Sequence, residues 1–169
     1  VGATLDDVRR GLESLRGVGG RMQSLPGHHG GLVIHDAYNA NPASLAAALQ
    51  AVGSEAGRKW LVLGDMRELG PAADELHAGS GRDARAAGFE RLYALGEHSR
   101  AAALAFGDGR HFVGVDDLIA ALTDDLRAGG GSPPVVLVKG SRGMRMERVV
   151  AALTAAEGAS TRQKEPSRC

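Results

Sequence analysis

Short aliphatic and β-branched runs alternate along the chain with segments whose apolar residues recur every three or four positions. Strand-like runs fall at residues 31–36, 59–65, 91–96, 111–115 and 135–139, with a weaker candidate at 21–25. Most are too apolar to leave one face in water, which predicts strands covered on both sides. Between them, Leu45, Ala48, Leu49 and Val52 form one helical stripe. Leu118, Ile119, Leu122 and Leu126 form a second, and Met146, Val149, Val150 and Leu153 a third. Residues 71–87 and 97–106 are also read as helices, although Gly79 and Gly81 inside the first each cost about 1 kcal/mol relative to alanine. At the start, Thr4 and Asp7 look like a cap and Leu5, Val8, Leu12 and Leu15 share a face. Residues 4–16 are therefore expected to be helical until Gly17, Gly19 and Gly20 interrupt them. Residues 157–169 are polar and carry no stripe, which predicts a disordered tail.

An alternation of strand and helix repeated about five times implies an α/β fold. The expected architecture is a doubly wound, mainly parallel sheet of five or six strands with helices on both faces. In such sheets the ligand crevice lies at the carboxyl ends of the strands, so candidate residues belong there.

Composition narrows the picture. The chain has 169 residues, 43% of them hydrophobic, enough for one ordinary soluble domain. Its 20 Lys and Arg balance 20 Asp and Glu, which argues against a protein that holds nucleic acid by a general electrostatic field. The single cysteine, Cys169, excludes a disulfide framework and a cysteine zinc site, and points to the cytoplasm. The longest aliphatic run, Val135 to Val138, is far below the roughly 20 residues that cross a bilayer.

Two strand ends carry the candidate chemistry. The strand ending at His35 and Asp36 runs into Ala37-Tyr38-Asn39-Ala40-Asn41-Pro42, which presents a carboxylate, a phenol and two amides. An N-cap at Asn41 and a first helical proline at Pro42 are ordinary punctuation, whereas no turn requires Asp36, Tyr38 or Asn39. The last strand delivers Lys139-Gly140-Ser141-Arg142-Gly143 to the final helix. Cations at a helix N-terminus oppose the dipole unless an anion lies between, which predicts an anion site there. Arg21, after Gly19 and Gly20, either reaches a phosphate or lies in solvent. By spacing alone, Asp65, Glu68 and His77 read as polar surface. Neither the phosphate loop nor the G-x-G-x-x-G fingerprint is present. His28, His29 and His35 lack metal-ligand spacing, and no glycine–serine cluster matches the nucleophile elbow of serine hydrolases.

Taken in order, Gly20-Arg21-Met22-Gln23, Asp36 to Pro42, Leu63-Gly64-Asp65-Met66-Arg67-Glu68-Leu69-Gly70 with His77, and Val138-Lys139-Gly140-Ser141-Arg142 resemble the C-terminal domain of the Mur ligases. The likeness covers about residues 4–155. Within that family, Tyr-Asn-Ala-Asn-Pro and Gly-Asp-Met-x-Glu-Leu-Gly most resemble the branch that adds D-alanyl-D-alanine to UDP-N-acetylmuramoyl tripeptide. The resemblance implies a Rossmann-like domain at residues 19–156, preceded at 1–18 by the closing helix of an ATPase domain that carries the phosphate loop and the magnesium ligands. It implies ATP as cofactor, shared with that domain, and Mg2+ bound there. The reaction it implies is phosphorylation of the tripeptide carboxylate, attack by the dipeptide amine on the acyl phosphate, and loss of phosphate. The implied nucleotide-binding residues are Arg21, Asp36, Tyr38, Asn39 and Asn41. The resemblance implies as catalytic residues Lys139, Ser141 and Arg142, which would face the dipeptide carboxylate or the transferring phosphate. His35 departs from the family, which often has a second acid before the aspartate.

On these grounds the chain is expected to be a monomeric ligase fragment, inactive alone, that works in peptidoglycan precursor synthesis with its preceding domains. Two alternatives stay open: a stand-alone nucleotide- or anion-binding or docking module, and a ligase of the same family that adds another amino acid. Micromolar affinity for ATP, about −8 kcal/mol, favours the module.

Overall fold

A computed structural model describes residues 19–154. The helix expected over 4–16 and the tail expected over 157–169 lie outside them. Six strands form one sheet: β1 (Gln23–Pro26), β2 (Leu32–Asp36), β3 (Lys59–Gly64), β4 (Arg91–Leu95), β5 (Arg110–Phe112) and β6 (Val135–Lys139). Their spatial order is β1-β2-β6-β3-β4-β5. β1 runs antiparallel to β2 at one edge, and every other neighbouring pair is parallel. The helices are α1 (Pro42–Gly53), α2 (Ala73–Ala86), α3 (Ser99–Phe106), α4 (Val115–Ala128) and α5 (Glu147–Leu153).

Alternating side chains divide the core into two layers, as a period of two requires. Ile34, Leu61, Leu63, Leu92 and Leu137 pack with Leu45, Leu49 and Val52 of α1, Ala84 of α2 and Ala102 and Phe106 of α3. Val33, Trp60, Val62, Tyr93, Val136 and Val138 point the other way, onto Leu118 and Leu122 of α4, Val149 and Leu153 of α5, and Met146 just before α5. Each of the central strands thus lies between two helical layers, which is why their sequences carry so little polarity.

The expected sheet is present, with three local differences. The weak candidate at 21–25 becomes β1 shifted toward Pro26, because Arg21 and Met22 form the turn that enters it. The run read as a strand at 111–115 ends at Phe112; Val113 is 91% exposed and Val115 already opens α4. The final helix does not begin at Lys139–Gly143. A 3-10 turn, Arg142–Met144, and a left-handed Arg145 intervene before Glu147. Ser141 makes no side-chain cap there. Lys139 instead meets Asp36 and the Asn39 carbonyl, and Arg142 lies over the Tyr38 ring, so neither cation faces the free amides of a helix end.

The winding places the crevice. Strands β2 and β3 lead into α1 and α2 on one face, whereas β6, which lies between them, leads into α5 on the other. Connections thus diverge on both sides of β6, and the space beyond the carboxyl ends of β2, β6 and β3 is the topological switch point of the sheet.

Candidate functional site

In register, Asp36 at the end of β2 lies beside Lys139 at the end of β6. The Lys139 ammonium donates to Asp36 Oδ2 at 2.5 Å and to the Asn39 carbonyl at 3.1 Å. The second Asp36 oxygen accepts from the Met22 amide at 3.1 Å. Only 2% of Lys139 is exposed, so this pair is shielded from solvent and its charges are committed to each other. The Tyr38 amide donates to the Gly20 carbonyl at 3.0 Å, so the turn carrying Arg21 is tied to the β2 terminus on both sides.

Around this tie opens a cleft of about 430 Å³. Its lining includes Arg21, Asp36, Tyr38, Asn39, Asn41 and Lys139, together with the small side chains Ala47, Ala48 and Ala51 of α1. All five residues expected to bind nucleotide therefore meet in one place. Asn41 also caps α1: its side chain accepts from the Ser44 amide at 2.8 Å, and the Ser44 hydroxyl accepts from the Asn41 amide at 3.1 Å. Tyr38 is 43% exposed and lies beneath two guanidinium groups, Arg21 at 4.8 Å and Arg142 at 5.2 Å from the ring centre. Both distances are within cation–π range.

Ser141 and Arg142 line a second cleft of about 560 Å³ that shares Tyr38, Asn39 and Asn41 with the first. Ser141 is a fastener between strand ends. Its hydroxyl accepts from the Arg67 amide at 2.8 Å and its own amide donates to the Asp65 carbonyl at 3.1 Å. Arg67 was not among the residues picked from the sequence. Its guanidinium lies against Gly143, where a Cβ would come within 2.7 Å of Nη1, so the glycine leaves the seat that Arg67 occupies. The available signal was its position inside the Gly-Asp-Met-Arg-Glu-Leu-Gly turn.

Asp65 and His77 are not polar surface: they are 8% and 0% exposed. His77 Nε2 accepts from the Met66 amide at 2.9 Å, and Nδ1 pairs with the Ala73 carbonyl at 2.7 Å. The ring is therefore a strut between the turn after β3 and the start of α2. Asp65 Oδ1 accepts from the Ser99 amide at 2.7 Å, which satisfies a free donor at the start of α3. Gly96 makes room for that carboxyl group, since a Cβ there would lie 2.5 Å from Asp65 Cγ. Glu68 is exposed, as expected.

Two histidines near the clefts depart from ordinary behaviour. Burial pushes the His35 pKa down, opposed by the charges of Glu147 and Asp36. His98 Nδ1 donates to Asp74 Oδ1 at 2.7 Å, and that bond pushes the His98 pKa up. Among the described residues, no group of three or more His, Cys, Asp or Glu is placed to hold a metal ion. No described helix is long and apolar enough to cross a membrane.

The fold and site define an open α/β sheet domain with adjoining clefts at its switch point, rimmed by Arg21 and Arg142. The chain belongs to the Mur ligase family, whose model described as the Mur ligase, glutamate ligase domain matches residues 20–142. Among curated relatives, the UDP-N-acetylmuramoyl-tripeptide--D-alanyl-D-alanine ligase of Escherichia coli is 40% identical over 153 residues, covering 90% of this chain and 33% of its own. The enzyme of the same name from Bacillus subtilis is 33% identical, over 88% of this chain and 34% of its own. A crystal structure of MurF from Acinetobacter baumannii matches with a TM-score of 0.81 and 31% identity, covering 88% of this chain and 33% of that one. MurF ligase from Thermotoga maritima in complex with ADP matches at 0.66 and 28% identity, covering 86% of this chain and 35% of that one. The chain spans about a third of the length of these relatives.

Proposed function

We propose that the chain supplies the C-terminal domain of an ATP-dependent amide-bond ligase that adds D-alanyl-D-alanine to UDP-N-acetylmuramoyl tripeptide, a cytoplasmic step of peptidoglycan precursor synthesis. The observation that carries the proposal is the convergence of the family's motifs on one face at the switch point, in a chain 40% identical to a ligase of that name. On this reading the chain is a closing half: preceding domains bring the phosphate-binding loop and the tripeptide, and this domain folds over them as part of a monomer.

Nucleotide occupies the cleft between the Arg21 turn and α1. The alanine face of α1 leaves room for a flat base, while Tyr38, Asn39 and Asn41 supply polar contacts for base and ribose. Arg21 and Arg142, stacked on Tyr38, present cationic groups toward phosphate. Asp36 and Lys139 act mainly by positioning, because each already satisfies the other while Lys139 also holds the Asn39 carbonyl. Ser141 fixes the Arg142 loop to the Arg67 turn, so that Arg142 and Arg67 flank the space where the dipeptide carboxylate or the transferring phosphate lies. The chemistry asked of these residues is orientation and charge stabilisation while an amine meets an acyl phosphate. Magnesium is assigned to the preceding domains, and no step here is routed through it.

The test is a chimera in which this chain replaces the corresponding third of the Escherichia coli relative. Release of ADP that requires both UDP-N-acetylmuramoyl tripeptide and D-alanyl-D-alanine is the expected result. A folded chimera that binds ATP but prefers a different amine would replace this assignment with another member of the family.

A further inference from the structure

His35 has no part in the scheme above, yet it lies beneath the turn that brings Arg21 to the nucleotide cleft. It precedes Asp36 on β2 and so points to the opposite face of the sheet, the face that α5 covers. Its ring meets the turn closely. A Cβ at Gly20 would lie 3.4 Å from His35 Cε1 and 3.3 Å from the Tyr38 nitrogen, and Gly20 holds a φ of +79°. Ring, glycine and the Tyr38 backbone are thus packed in series. Two hydrogen bonds close the turn over the ring: the Tyr38 amide donates to the Gly20 carbonyl, and the Met22 amide donates to Asp36 Oδ1. Arg21 lies between these two anchors, with its guanidinium over the Tyr38 ring.

The ring has one nitrogen that nothing satisfies. Nδ1 is closed off from water and has no hydrogen-bond partner among the described residues. A neutral imidazole can leave a lone pair there and carry its proton on Nε2, whereas a protonated ring must bury an unmet N–H donor at Nδ1. The surroundings offer little relief. β1, which faces His35 through Gln23, carries no charge. β6 brings Val138 opposite it and then Lys139, whose ammonium is committed to Asp36. Asp36 itself already accepts from Lys139 and from the Met22 amide. From α5 come Arg148, paired with Asp116, and Glu147, whose charge favours a proton on the ring. Burial outweighs both carboxylates and keeps the ring neutral in place.

We propose that His35 is a positioning residue for the nucleotide cleft: while neutral, its ring seats the Gly20–Met22 turn against Tyr38, and a proton taken up at Nδ1 unseats that turn and draws Arg21 away from the cleft. The proposal rests on the ligase reading only for the statement that the cleft takes ATP; the movement of the turn does not depend on it. The sign follows from the burial. A displaced ring is hydrated and takes up its proton more readily than the seated one, so the closed turn is complete above the ordinary histidine value of 6.5 and is lost as pH falls below it.

The experiment is a pH titration of the 169-residue chain from about pH 8 to 5, read by NMR at the His35 ring and at the amides of Met22 and Tyr38. Those two amides should move with the same midpoint as the ring, because their hydrogen bonds loosen when the turn is unseated. ATP affinity, read from amide shifts at Asn39 and Asn41, should fall about threefold over the same range. ATP itself takes up a proton there, so the comparison is with His35→Gln, which should keep the wild-type affinity at the alkaline end and lose most of the fall. A histidine that only filled space would, when replaced, weaken ATP equally at both ends. Glu147→Gln leaves the ring in place and removes a charge that favours its proton, so it should move the midpoint of ring and amides to lower pH, a result that does not depend on His35→Gln folding. Met22 and Tyr38 amides that stay fixed while His35 titrates overturn the proposal, as does a fall in ATP affinity that His35→Gln shares in full. If the turn moves with His35 while ATP perturbs no residue of the cleft at any pH, the pH-dependent turn stands and the reading of the cleft as a nucleotide site falls.

Discussion

Lys139 and Asp36 show how a charged residue at a strand end can serve a site without facing a ligand. Their side chains are 3% and 12% exposed, so removing one partner strands the other's charge away from water. Lys139→Met should therefore cost about 3–5 kcal/mol, and Lys139→Met with Asp36→Leu should recover most of it. Urea unfolding of the two variants checks this, and equal losses would mean that the pair is not energetically coupled. Two histidines make stability depend on pH with opposite signs. His98, raised by its bond to Asp74, holds its proton more tightly when folded. Its contribution is complete below the ordinary value of 6.5 and is lost as pH rises through the raised one. His35, lowered by burial, takes up its proton more readily in the unfolded chain, so stability is lost as pH falls below 6.5. Denaturation across about pH 5 to 8 should show His35→Gln flattening the acid-side fall and His98→Gln steepening it.

Helix α1 carries two duties at its N-cap, and they can be separated. Asn41 caps the helix through its side-chain oxygen, so Asn41→Ala should cost about 1 kcal/mol. Asn41→Ser retains a cap but no amide, so thermal stability should hold while ATP-induced shifts at Tyr38 shrink. Glycines in α2 divide in the same manner. A Cβ at Gly79 meets nothing nearer than Arg82 Nη2 at 3.8 Å, whereas at Gly81 it would lie 2.1 Å from the Ala102 carbonyl of α3. Gly79→Ala should stabilise by up to about 1 kcal/mol, and Gly81→Ala should destabilise strongly by forcing α2 and α3 apart. A sequence shows both as propensity costs, since neither glycine reveals its neighbour. The same limit governs the rest of the fold. Stripes such as Leu45, Ala48, Leu49 and Val52 were legible because burial follows period, and that stripe is the buried face of α1. The burial of Asp65 and His77 was not legible, because their partners, Ser99 and the Met66 amide, are fixed by tertiary packing. Arg67 was passed over for the same reason: its seat is a missing Cβ seventy-six positions later, at Gly143.

At the scale of the whole molecule, zero net charge conceals a partition. Arg58, Arg82, Arg85, Arg91, Arg110 and Arg148 each lie within reach of a carboxylate. Among the described residues, five arginines have no such partner, Arg21, Arg67, Arg100, Arg142 and Arg145, and the topology gathers Arg21, Arg67 and Arg142 at the switch point. A balanced chain thus presents a cationic rim where the sheet places its crevice, and the composition that argues against nucleic acid does not weaken the case for a small anion. These arginines are exposed, so the attraction should be screened: the Debye length shrinks from about 10 Å at 0.1 M salt to 3 Å at 1 M. ATP binding by this chain should therefore be millimolar, because in the proposed ligase most phosphate contacts come from the preceding domains, and it should weaken severalfold over that salt range. Arg142→Ala should remove much of the salt dependence, and Arg82→Ala, on the outer face of α2, should leave it intact. Titration calorimetry or amide shifts at two salt concentrations give the answer. Affinity that ignores salt would mean that the base, lying on the alanines of α1 beside Tyr38, and not the arginine rim, holds the nucleotide. Micromolar affinity would instead give the chain a complete nucleotide site of its own, which a closing half does not need.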